Sequence, residues 1–168
     1  MTGLPPFWCM MIWGLLGTVA MTTILQGAQG LGLSRLSLPF LAGTFVIRDR
    51  RWAVVIGFLF YVAGGWVFAF LYFVLFASVR LYTWWFGAVV GAFHGVFLLV
   101  AALPLLPYIH PRMASEYDGT GSVGQLEPPG FMALNYGHRT PLTTLIGQVV
   151  YGAVLGGLPQ LQSIMDYH

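Results

Sequence analysis

Residues able to do acid–base or ligand chemistry crowd into YIHPRMASEYDGTGSVG, residues 108–124, which holds His110, Arg112, Glu116 and Asp118. His138 follows before the last apolar run. Imidazole and carboxylate groups together suit a divalent or transition metal, and a histidine can pass protons near neutral pH. The spacing matches no HExxH, HxxE or paired-carboxylate pattern that a helix would align, and the chain carries no Walker loop, GxSxG elbow, Rossmann glycine pattern or CxxC. Ordinary turn chemistry accounts for the same letters: Pro107 and Pro111 end a helix, Arg112 marks a membrane interface, and DGTGSVG is turn-forming. The stretch is expected to be a solvated loop first, a partner-docking surface next, and a metal or catalytic site last.

A second set of polar residues lies inside apolar runs: His94, Gln148, Gln26, Thr18 and Thr22. His94 follows Gly91 by three, so it shares the face formed by Gly87, Gly91 and Gly95, which recur every four residues. Small residues at that interval let a second helix approach closely in lipid. Gly152 and Gly156 repeat the device, with Gln148 one turn earlier on the same face. A hydrogen bond between His94 and Gln148 is therefore expected, and Thr18, Thr22 and Gln26 are expected to extend a polar stripe along another helix. Such bonds ordinarily act as interhelical glue, worth about 0.6 to 2 kcal/mol each. A proton or ion path, or ligation of haem or chlorophyll by His94, is the alternative use of these groups. Cys9 with Met10 and Met11 sits on an apolar helix, where methionine is common filler rather than a copper site.

These groups can be positioned only by a membrane protein. Of the 168 residues, 58% are hydrophobic, 16% aromatic and 7% charged, against about a quarter charged in a soluble domain. The net charge of +2 comes from seven arginines scattered through loops, with no lysine, so nucleic acid is not an expected partner. Four apolar runs approach or exceed the ~20 residues needed to cross a bilayer: 7–27, 52–78, 84–107 and 140–160. The first lacks the basic flank of a signal peptide and is read as a retained helix. Aromatic residues at the ends of these runs, among them Trp8, Trp52 and Trp84, anchor them at the interface. The fold class expected is all-α: a single polytopic domain over 1–168, with four transmembrane helices in a bundle. Between the first two runs, residues 33–47 are apolar but broken by Pro39 and Gly43, which suits an interfacial or re-entrant segment. With four crossings, every arginine except Arg80 falls on one side, so the positive-inside rule puts loops 28–51 and 108–139 in the cytoplasm and both termini outside.

GTVAMTT in the first run, IHPRM after the third, GFMALNYGHRTPL before the fourth and GQVVYGAVLG within it resemble a family of small four-helix bacterial inner-membrane proteins. The likeness covers most of the chain. It implies the same four-span plan and brings no established activity. It also implies a histidine in other members where Gln148 stands here, so a paired-histidine metal or haem site would be missing from this chain.

The function expected is that of a non-catalytic membrane subunit, embedded in lipid and packed against other integral membrane proteins, for instance in a respiratory or photosynthetic complex. No cofactor is expected. A small oligomeric transporter or channel using His94, Gln148, Gln26 and the threonines is the second expectation. A protein that binds metal, haem or pigment through His94, His110, Glu116 or His138 is the third.

Overall fold

The structure is a computed structural model that describes residues 5–114 and 125–165, with the side chains of 160–165 left aside. The described residues are helical or irregular, with no strand. The helices are α1 (Phe7–Gly30), α2 (Leu38–Thr44), α3 (Arg50–Val79), α4 (Trp84–Phe97), α5 (Leu103–Ile109) and α6 (Thr140–Met165). A π-helical turn, Leu98–Ala102, joins α4 to α5, so that Trp84–Ile109 is one continuous apolar span. Together with Phe7–Gly30, Arg50–Val79 and Thr140–Pro159 it makes four helices long and apolar enough to cross a membrane. The chain is built as a multi-pass membrane protein.

Pro107 was expected to end the third span, yet it lies inside α5, and the helix stops only at Ile109. The stop comes from Pro111, whose ring pushes the preceding residue out of helical conformation; His110 accordingly has φ −86° and ψ 117°. Pro104 has no N–H to give the Val100 carbonyl and crowds that oxygen. The turn ahead of it widens, and the Leu103 N–H reaches back five residues to Leu98.

Two helix ends use the same C-cap with different residues. At the end of α1, Gly32 sits at φ +70° while the N–H groups of Gly32 and Leu33 donate to Gln29 and Ala28. At the end of α3, the same two bonds run from Arg80 to Ala77 and from Leu81 to Phe76, but the left-handed position is filled by Arg80, at φ +55°.

The contacts divide the chain into two compact units, to both of which all four long helices contribute residues. The first comprises 1–24, 62–95 and 145–168; the second comprises 25–61 and 96–144.

In the first unit helices touch backbone to backbone. A side chain on Gly87 would strike the Gly152 carbonyl and one on Gly152 the Gly87 carbonyl, while Gly91 meets the Gln148 carbonyl and Gly156 the Thr83 carbonyl. The glycines of α4 and α6 thus face one another within one chain. Across α1 and α3, Trp13 packs on Phe73 at 5.7 Å between ring centroids, and the Trp66 indole donates to the Met11 carbonyl at 3.0 Å. Tyr151 of α6 lies against Gly17 and donates its hydroxyl to the Gly65 carbonyl at 2.5 Å.

In the second unit connecting segments fold onto the helices. Ser37 caps α2 by accepting from the Phe40 N–H, and Asp49 caps α3 by accepting from Trp52. Helix α2 runs antiparallel along the start of α3 in close contact, Gly43 on the Ala53 carbonyl and Gly57 on the Pro39 carbonyl. A buried apolar cluster of Leu36, Leu41, Leu99, Leu103, Met113, Ala133 and Tyr136 ties the connections to α5. Ala133 enters it in left-handed conformation with Met132 beside it, within the 3-10 segment Phe131–Tyr136.

Candidate functional site

His94 lies on α4 in the first unit, half-buried, between rings of α3. Its ring is 4.2 Å from that of Phe68, and its Nδ1 is 3.1 Å from the Tyr72 hydroxyl. Its Nε2 is enclosed and has no hydrogen-bond partner. If Tyr72 donates, Nε2 keeps an unused proton; in the other tautomer it keeps an unused lone pair. The partner of His94 is therefore Tyr72 rather than the expected Gln148. The glycine register explains this: Gly91 and Gly95 are the residues pressed on Gln148, and His94, one residue off that line, turns toward α3. Gln148 is buried at 3% exposure and its Oε1 has no partner.

The threonines of α1 satisfy themselves on their own helix. Thr18 Oγ1 donates to the Gly14 carbonyl at 2.8 Å and Thr22 Oγ1 to the Thr18 carbonyl at 2.6 Å. Gln26, expected to carry that stripe from mid-membrane toward the cytoplasmic end of the span, is exposed. Thr18, Thr22 and Gln26 thus do not join His94 in a line of interacting polar groups.

His110 belongs to the second unit and is buried at 4% exposure, where a solvated loop was expected. Its Nδ1 accepts the Arg112 backbone N–H at 3.1 Å, which puts the ring proton of the neutral form on Nε2. Nε2 stands 3.2 Å from the Leu41 carbonyl and 3.2 Å from Thr44 Oγ1. Phe45 packs edge-on against the ring at 4.1 Å. The Arg112 guanidinium donates to the carbonyls of Thr44 and Val46, at the C-terminal end of α2, where a cation also suits the helix dipole. Burial holds the His110 pKa below its ordinary 6.5; the Leu41 carbonyl opposes this shift and Arg112 adds to it.

Around this latch, Ser34 and Thr140 share a hydrogen bond at 2.9 Å, and Arg35 donates to the Asn135 carbonyl at 2.5 Å. The Tyr136 hydroxyl donates to the Glu127 carbonyl at 2.5 Å. Burial and the Glu127 carboxylate push the Tyr136 pKa up to about 12, with Arg35 acting the other way. The Arg35–Glu127 ion pair at 3.4 Å is exposed on both sides and contributes little to stability. An open groove of about 490 Å³ runs between Pro104, Pro107 and Tyr108 on one side and Pro128 and Phe131 on the other.

The metal reading finds no assembled ligand set. Both nitrogens of His110 are engaged, His138 is exposed, and Glu116 and Asp118 lie outside the described residues. No three histidine, cysteine or acidic side chains come together among the described residues. Haem or chlorophyll at His94 does not fit either, because Nε2 is enclosed and the Phe68 ring lies against the imidazole. Tyr72 and Thr44 are the polar partners that sequence reasoning missed. Tyr72 is a tyrosine well inside an apolar span, a signal that could have been read; Thr44 carried none. Comparison with known protein families, characterised proteins and solved structures found no match to this chain.

Proposed function

We propose that this chain is a non-catalytic membrane subunit of the bacterial inner membrane, a four-helix bundle whose outward faces pack against other integral membrane proteins. The observation that carries this reading is the unpartnered face of α3. Only 22% of its apolar window is buried within the chain, as for Trp84–Ile109, and Phe60, Val67, Phe70 and Leu71 lie exposed along one side of it. The glycine faces cannot serve as the recruiting surface, since α4 and α6 use them on each other. Phenylalanines offer a flat, large contact area to a neighbouring helix. The orientation proposed keeps the arginine-rich connections in the cytoplasm and the termini outside. On this reading α2 is re-entrant, because Pro39 lies beside Gly57, roughly 10 Å along α3 from its first residue.

Purification in mild detergent after cross-linking in native membranes tests the reading. The expected result is a defined complex with other membrane proteins that weakens when Phe60 and Phe70 are changed to alanine. A lone monomer under the same conditions would overturn it. One observation favours a second reading, a small transporter: the enclosed and unpartnered Nε2 of His94 and Oε1 of Gln148. That reading requires flux through the purified protein in liposomes.

A further inference from the structure

His110 joins the end of α5, the backbone turn at Arg112 and the C-terminal end of α2. Both of its nitrogens are used, one as acceptor and one as donor, and only the neutral ring with its proton on Nε2 can fill both roles. A proton on Nδ1 would face the Arg112 N–H, donor against donor. It would also place a second cation beside the Arg112 guanidinium in a site with 4% exposure. The facing groups from α2 are the Leu41 carbonyl and the Thr44 hydroxyl; from the segment after it, the Phe45 ring; and from 110–112, the Arg112 side chain. No carboxylate is among the groups described as acting on this ring, and only backbone carbonyls there favour the imidazolium, against burial and Arg112.

We propose that His110 is a proton-operated latch: a proton added to Nδ1 releases the C-terminal end of α2 from residues 110–112. The Arg112 backbone N–H turns away, the bonds from Nε2 to Leu41 and Thr44 lose their fixed ring, and the guanidinium follows from the carbonyls of Thr44 and Val46. Neutral His110 is favoured in the closed form, so the latch holds fully above pH 6.5 and is lost progressively as the pH falls through the lowered closed-form value.

The test uses the full chain in liposomes, with Cys9 changed to serine and spin labels on cysteines replacing the exposed residues Val46 and Ile109. Strong dipolar broadening is expected at about pH 7.5, with reversible loss of at least half of it by about pH 5. In His110→Gln, whose amide still donates to Leu41 but does not take up a proton, the broadening is expected to be the same at both values. Broadening that does not change with pH in the native chain, or that changes equally in His110→Gln, would overturn the proposal. Nitrogen-15 NMR of the native His110 ring provides a reading that needs no variant. A neutral ring protonated on Nε2 at about pH 7.5 is expected; a cationic ring or an Nδ1–H tautomer would overturn the latch.

Discussion

His94 and His110 sit in different units and are held by opposite means. His94 is placed by packed rings and one tyrosine hydroxyl, and its second nitrogen has nothing to bond. His110 is placed by backbone groups at both nitrogens. The units differ in the same way. In the first, helices make direct contact through glycine and aromatic surfaces, and a polar group can go unpartnered. In the second, short segments fold back on helix ends, and Ser37, Asp49, His110, Arg112 and Tyr136 close carbonyls or N–H groups, although the buried Thr144 hydroxyl is unpartnered. Contact by shape tolerates the loss of a hydrogen bond but not an added atom. Contact by capping does not tolerate that loss, and where α2 meets α3 through Gly43 and Gly57 the second unit is equally intolerant of an added atom.

The largest expected effect follows from that contrast. Gly152→Val would drive a side chain into the Gly87 carbonyl, and because backbone cannot move aside cheaply the loss should reach about 3 kcal/mol or more. Thermal unfolding in detergent checks it; a near-native midpoint would mean that α4 and α6 are not in direct contact. His110→Ala should cost about 1–3 kcal/mol by leaving the half-buried Arg112 N–H without its acceptor, while the Leu41 carbonyl keeps the Thr44 hydroxyl. Limited proteolysis should then cut first between residues 38 and 49, and unchanged resistance there would remove the distinction between the units.

The two C-caps offer a smaller change of opposite sign. Arg80→Gly should raise stability by about 1 kcal/mol, since Arg80 holds the left-handed position that glycine fills at Gly32. A rise in unfolding temperature checks this, and a fall would show that the Arg80 side chain contributes more than its strain costs. Tyr72→Phe should be the mildest, near 0.6 kcal/mol, because it removes one interhelical bond from a region held mainly by packing.

Much of the fold was legible because lipid demands about 20 apolar residues in a row, and four such runs are plain in the sequence. Their ends were less so: α3 starts at Arg50 because Asp49 caps it, a local bond stronger than the hydropathy boundary at Trp52. Spacing placed His94 close to the glycine face, but a helix face gives a direction and not a neighbour, so Tyr72 went unseen behind Gln148. The role of His110 could not be read at all. Its partners on α2 lie 66 and 69 positions away and one is a backbone carbonyl, which leaves no mark in residue identity.

Central to the proposed reading is that the polar groups of the membrane interior form no path: Tyr72 with His94, Tyr151 with Gly65 and Trp66 with Met11 join helices, while Thr18 and Thr22 bond within their own. Purified chain in liposomes, compared with His94→Leu for proton and monovalent-ion flux under an imposed gradient, tests this most directly. Flux indistinguishable from that of protein-free liposomes is expected in both cases. Flux in the native chain that disappears in His94→Leu would contradict the reading.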